Sequence, residues 1–169
     1  MVLALVVLGA TLSLAASMAM VDVRRRRAAE SSLSCFARLH GHRFVAQRVE
    51  GESGLVPFVI DVHRAFGVLR TRATARAAHR RLPTIAASVG ADGWRFAVGA
   101  AEGPEVRRLV SAEIDVLRES GPVLVASDGA RVSISWSGAE TSLAAHAAAR
   151  DAVVALTTIG GDASPYRGA

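Results

Sequence analysis

The sequence predicts an α+β protein: one N-terminal transmembrane helix followed by a two-layer domain of antiparallel sheet packed on helices. Three observations carry that prediction. Val2 to Val21 runs without a charge and is closed by Asp22, Val23 and Arg24-Arg25-Arg26-Arg27. Residues 44 to 98 hold short alternating apolar segments broken by turn residues, and two helical patterns follow with a hairpin pattern between them. Strands that come in succession, with helices late in the chain, cannot form parallel crossover units, so a sheet with helices gathered on one side is the economical packing.

The anchor comes first. At ~1.5 Å of rise per residue, about twenty residues cover the ~30 Å hydrocarbon core of a bilayer. Positive charge beside a span is retained in the cytoplasm, and none precedes this run. Arg24, Arg25, Arg26 and Arg27 therefore place the N-terminus outside and the domain in the cytoplasm, a single-pass arrangement at the inner membrane. The competing reading is a cleaved secretory signal, with Ala15, Ser17 and Ala19 as small residues near a cut. A signal wants its positive charge ahead of a shorter apolar core, which this run lacks. Initiation at Met18 or Met20 would remove the span altogether. Gly9, Ser13 and Ser17 fall four apart, a ridge of small residues on which two spans can approach and self-associate.

Four segments follow from this reading: an anchor over 1–23, a basic juxtamembrane segment and linking helix over 24–40, the domain over 41–160, and a loose tail over 161–169. The single cysteine, Cys35, excludes an internal disulfide. The net charge of +5 is mostly a topology signal. Beyond Arg27 the chain holds sixteen arginines against fourteen acids, and it contains no lysine at all. A lysine-free composition reads as coding bias, so arginine counts alone carry little weight.

In order, Leu33, Phe36, Ala37 and His40 recur at helical spacing up to Gly41. Phe44, Val45 and Val49 lead through Gly51-Glu52-Ser53-Gly54 into Phe58, Ile60 and Val62, giving two strands and a turn that holds Glu50 and Glu52. Val68 to Arg76, Thr84 to Val89 and Trp94 to Val98 extend a meander of four or five strands, the last two joined at Asp92-Gly93. Pro104 opens a helix with Val106, Leu109, Val110, Ala112, Ile114 and Leu117 on one face, ended by Gly121-Pro122. Val123 to Ala126 and Arg131 to Trp136 form a hairpin about Ser127-Asp128-Gly129. A last helix spans Ala139 to Ile159, burying Leu143, Ala147, Val154 and Leu156.

Few constellations carry chemistry. Cys35, His40 and His42 make half a zinc site without a second ligand pair, so no metal is expected. Asp61 and His63, two apart on a strand, share one face as a hydrolase requires, but no nucleophile motif accompanies them. Arg70, Arg72 and Arg76 share parity with Thr74, and Arg80 and Arg81 follow, making a basic strip suited to anionic headgroups or nucleic acid. The nucleic-acid reading is disfavoured because no aromatic residue interleaves the strip. The glycines lack Walker or dinucleotide spacing, so no cofactor is expected.

Leu39-His40-Gly41-His42-Arg43-Phe44, Gly51-Glu52 with Val56-Pro57-Phe58-Val59-Ile60, Thr71-Arg72, Gly90-Ala91-Asp92-Gly93-Trp94-Arg95-Phe96 and the Val106 to Leu117 helix resemble a group of uncharacterised bacterial single-span membrane-anchored proteins with a small α+β domain. That resemblance implies an architecture and an anchor and transfers no site. The functional expectation is a non-enzymatic interaction or regulatory module. A tethered hydrolase using Asp61 and His63, and an anion binder using Arg70 to Arg81, are the alternatives.

Overall fold

The computed structural model describes residues 2–65, 67–77 and 81–159, leaving out the side chains of residues 2–9 and 12. Its elements are α1 (Val2–Leu39), β1 (Arg43–Val45), β2 (Arg48–Ser53), β3 (Val56–Ala65), β4 (Val68–Arg76), β5 (Thr84–Gly90), β6 (Gly93–Val98), α2 (Gly103–Arg118), β7 (Val123–Asp128), β8 (Arg131–Ser137) and α3 (Leu143–Leu156). The fold is α+β, as expected: one eight-stranded sheet, antiparallel at every pairing, with the three helices on one face. α1 lies over β1 to β3, α3 over β3, β4 and β8, and α2 packs beside α3 against β5 and β7.

The strand order is β1-β2-β3-β4-β8-β7-β5-β6, which corrects the expected meander. The β7–β8 hairpin inserts between β4 and β5, because β4 and β8 have complementary inner faces. Thr71, Ala73 and Ala75 are small, and directly opposite them sit Trp136, Ile134 and Val132, all buried. The link from β4 to β5 is tied across the hairpin turn, with Ala77 N donating to Ala130 O at 3.2 Å and Leu82 N to Gly129 O at 2.9 Å. A second correction concerns the first strands. Three form instead of two, and Glu50, Gly51 and Glu52 lie on β2 instead of in a turn. The turns are two-residue ones at Ala46-Gln47 and Gly54-Leu55, with positive φ at all four positions, the geometry that matches the twist of a hairpin.

The linking helix is the second half of α1, unbroken from the first. Ala29, Leu33, Phe36 and Ala37 are buried in the core, whereas His40 is exposed. Gly41 ends the helix at φ 71, with His42 N reaching back to Ala37 O at 2.8 Å, a left-handed cap that satisfies a terminal carbonyl. Among the described residues no helix is long and apolar enough to cross a membrane. The described side chains of α1 begin at Ala10, so those of Val2 to Gly9, like Arg80 and the tail over 161–169, fall outside them.

α2 follows its pattern, with Val106, Val110, Ile114 and Leu117 buried and Pro104 in its first turn; Ala112 faces solvent. α3 starts later than expected and buries a different face: Ala145, His146, Ala149, Ala152, Val153 and Leu156, with Leu143 37 % exposed. The cause of the late start is Glu140. Its carboxylate accepts hydrogen bonds from Thr141 N (2.8 Å), Ser142 N (2.7 Å), the Ser120 hydroxyl (2.7 Å) and Trp136 Nε1 (3.2 Å), while its own N–H donates to Thr71 Oγ1 at 2.9 Å. Ser142 then caps α3, its hydroxyl accepting from Ala145 N. Burial pushes the Glu140 carboxyl up, but these donors together hold it below the usual carboxylate value. Glu140→Ala strands the buried Trp136 indole N–H and the first amides of the α3 entry. It is expected to cost about 2–3 kcal/mol, read as a lower urea midpoint.

Candidate functional site

Among the described residues no helix lies over the outer face of the sheet, and the pairing register lays its residues out in rows. One row reads Arg48, Asp61, Arg72, Ser135, Leu124, Ser88, Arg95. Beside it lie His63, Arg70 and Ser137 on one side, and Glu50, Val59, Thr74, Ser133, Ala126 and Ala86 on the other; the next row holds Pro57, Arg76 and Arg131. Alternation dictates this arrangement. The odd residues of β4 from Leu69 to Ala75 are buried, so its arginines must share the other face.

The structure therefore brings Arg70, Arg72 and Arg76 onto one face, in register with Thr74. Arg81 is exposed beyond the end of β4, next to Leu82, which bonds the β7–β8 turn; Arg80 lies outside the described residues. Sequence reading missed Arg131, which sits directly opposite Arg76. Only the non-local β4–β8 register makes that pair visible. Arg72 donates to Asp61 Oδ2 at 2.8 Å, Arg48 pairs with Glu50 at 2.6 Å, and Arg70 Nη2 reaches Ser135 O at 3.4 Å. A concavity of about 690 Å³ lies over β3, β4, β8 and β7, lined among others by Asp61, Arg72, Thr74, Arg76, Asp128, Arg131 and Ser133.

Asp61 and His63 share the face as their spacing requires. Asp61 Oδ1 and His63 Nδ1 lie 3.5 Å apart, yet both are shielded from water and neither is hydrogen-bonded. The His63 pKa is lowered by burial and by Arg72 and Arg70, against the pull of Asp61. No hydroxyl hydrogen-bonds to His63 among the described residues. Ser137 on the same row is two strands away, about 10 Å at the usual strand spacing.

The serine–histidine contact of this fold is elsewhere. Ser32 Oγ sits 3.2 Å from His146 Nε2 and donates to Thr141 O at 2.7 Å, joining α1 to the entry of α3. His146 is 0 % exposed, and none of the main cavities is lined by the pair.

Cys35, His40 and His42 do not assemble a metal site; among the described residues no three metal-ligating side chains converge. The two histidines pack instead. Phe36 has the rings of His40, His146 and His42 at 4.6, 5.7 and 5.9 Å and the Arg150 guanidinium at 5.8 Å, and His42 meets Phe58 edge-on at 4.9 Å. This packing leaves Gly51 no room for a side chain, since a Cβ there would meet His42 Nδ1 at 2.6 Å and Phe58 Cζ at 2.9 Å.

The chain matches no protein-family model, no curated protein and no solved structure.

Burial lowers the His146 pKa from 6.5 to about 4, against the upward pull of Glu140. Above pH 6.5 neither the folded nor the unfolded state binds this proton. Below it the unfolded chain does and the folded one does not, so stability falls from pH 6.5 down to about 4. The expected loss between pH 7 and pH 5 is about 2 kcal/mol. It is measured by urea unfolding, and His146→Gln should flatten that slope; equal slopes in the two proteins would refute the assignment.

Proposed function

We propose that the protein is a single-span, membrane-anchored module whose cytoplasmic α+β body binds a ligand and does not transform it. The observation that carries this reading is one helix with two opposite surroundings. Leu14, Met18, Met20 and Val23 are 64, 65, 57 and 50 % exposed, whereas Ala29, Leu33 and Phe36 on the same α1 are each 0 % exposed. Apolar side chains crowded on a surface are unfavourable in water and at ease in hydrocarbon. The same stretch continues back to Val2 without a charge, and Arg24 to Arg27, all exposed, follow where a cytoplasmic headgroup layer would meet them. The resemblance to single-span bacterial proteins points the same way. Gly9, Ser13 and Ser17 are the proposed ridge for pairing two spans, and Ser13 and Ser17 are exposed on α1.

Binding is favoured over hydrolysis by the state of Asp61. Its Oδ2 is engaged by Arg72, and among the described residues no hydroxyl is hydrogen-bonded to the His63 imidazole to serve as a nucleophile. The uncovered sheet face, with its arginines and free hydroxyls, is the contact surface this reading favours.

Expressed in a bacterium, the full chain is expected to stay in the membrane pellet after alkaline carbonate extraction. A C-terminal green fluorescent protein should be bright and a C-terminal alkaline phosphatase inactive, and deletion of residues 1–23 should release the body. Release of the intact chain by carbonate, or an active phosphatase fusion, would overturn the placement.

A further inference from the structure

We propose that the concavity on the uncovered sheet face is a binding site for a small phosphate monoester, whose phosphate sits between Arg76 and Arg131 above the hydroxyls of Thr74 and Ser133. The inference stands on the geometry of the face and holds whether or not the chain is anchored.

Arg76 and Arg131 are direct partners across an antiparallel pair. Residues so placed have Cβ atoms about 4.5–5.5 Å apart, and like charges there repel. Among the described residues neither guanidinium forms an ion pair or a hydrogen bond. The acids of the same concavity are engaged by other groups as well, although the Asp128 carboxylate also feels the Arg131 charge. Asp61 holds Arg72, and Asp128 Oδ1 accepts the backbone N–H groups of Ala130 and Arg131 at 3.0 and 2.8 Å, which lowers its pKa and fixes the β7–β8 turn. One row in, Thr74 faces Ser133 directly, and neither hydroxyl has a hydrogen-bond partner among the described residues. Two forks without a direct ion pair, beside two unused hydroxyls, fit the oxygens of a phosphate, for which guanidinium offers paired N–H donors. Because every basic residue in the chain is arginine, it is the opposition of the two that signifies and not their type.

The cavity volume of about 690 Å³ falls in the range of small-molecule sites. Val59, Pro57 and Ala126 line the rest of it and suit a compact organic portion. A nucleic-acid strand is the less fitting occupant, because among the described residues no Phe, Tyr or Trp side chain lies on this face for stacking: Trp94 and Phe96 pack on the helix side. The same monoester chemistry occurs in soluble metabolites and in phosphatidic acid. Position favours the soluble source. Arg64, near the opposite end of β3, pairs with Asp22 of α1, and Arg76 lies the length of β4, about 27 Å, from that hairpin.

The test uses the full chain purified in a non-ionic detergent, titrated by calorimetry with ribose 5-phosphate, ribose and dihexanoyl phosphatidic acid at matched ionic strength. Saturable binding of ribose 5-phosphate but not of ribose is expected, weakened at least tenfold in Arg76→Gln and in Arg131→Gln and unchanged in Arg95→Gln, an exposed arginine elsewhere on the face. All three side chains are exposed, so circular dichroism should report folded variants. In phosphate-free buffer Arg76→Gln is expected to melt higher than the natural chain, because a repulsion is gone. Binding of the phosphatidic acid alone, with the same dependence on Arg76 and Arg131, assigns the headgroup as the source and upholds the site. No saturable binding of either monoester, equal loss in Arg95→Gln, or tighter binding of a single-stranded oligonucleotide through the same arginines would overturn the proposal.

Discussion

The burial of Ala29, Leu33, Phe36 and Ala37 against β1 to β3 is the constraint on which the rest of this structure depends. These residues make the last turns of α1 a third of the helical layer. Without them Val49, Phe58 and Ile60, each no more than 2 % exposed, would lose their cover on the inner face of the first strands. Phe36 sits at the centre of the contact, ringed by His40, His42, His146 and Arg150, so the histidines that suggest a ligand set serve as flat, partly apolar packing pieces. The helix that carries this seat also carries the apolar run at its other end. Because it does not break at the arginines, the body is held at a set angle to that run, and the pairs Arg64–Asp22 and Arg26–Gln47 brace it there.

Placing all three helices on one side has a direct consequence for the other. Each strand must keep its large apolar residues inward, and what faces outward is what alternation leaves over: Ser133, Ser135 and Ser137 on β8, Arg70, Arg72, Thr74 and Arg76 on β4. The outer face is thus a polar, small-residue surface whose few long side chains are arginines. The buried polar chemistry is concentrated instead at one junction, where Glu140 gathers donors from the turn after α2, from β8 and from the entry of α3, and Ser32 with His146 closes the seam to α1. That junction orders the helices; the open face takes no part in it.

Local pattern made much of this legible and non-local pairing hid the rest. The α2 boundaries, the β7–β8 hairpin and the shared face of Arg70, Arg72 and Arg76 follow from periodicity and from Pro104 and Asp128-Gly129. The place of that hairpin between β4 and β5 does not, since nothing within β4 says that its alanines await Trp136 and Ile134. For α3 the difficulty is composition. In a helix so rich in alanine many positions are apolar, and close approach to the sheet selects Ala145, Ala149 and Ala152 over the larger Leu143. Glu140 reads as an ordinary first-turn acid until Trp136 and Ser120 are brought to it. Ala46-Gln47 lacks every residue that usually marks a positive-φ turn, which is why one strand went unseen.

Arg131 shows the same limit where it bears on function. In sequence it is a lone cation after a turn, outside the strip that runs from Arg70 to Arg81. Register places it against Arg76, and on the same β4 strand Arg72 has been given Asp61 as its partner. Of the three arginines of the strand, the fold thus pairs Arg72 with an acid and sets Arg76 against a second positive charge, at a cost of about 0.2–1 kcal/mol by the usual scale of cross-strand pairs. A face required only to be wet gains nothing from that opposition, since serine or threonine at either position would keep the strand pairing without repulsion. An anion seated between the two guanidiniums turns the repulsion into attraction, so the opposed pair favours a charged occupant over a merely hydrated surface.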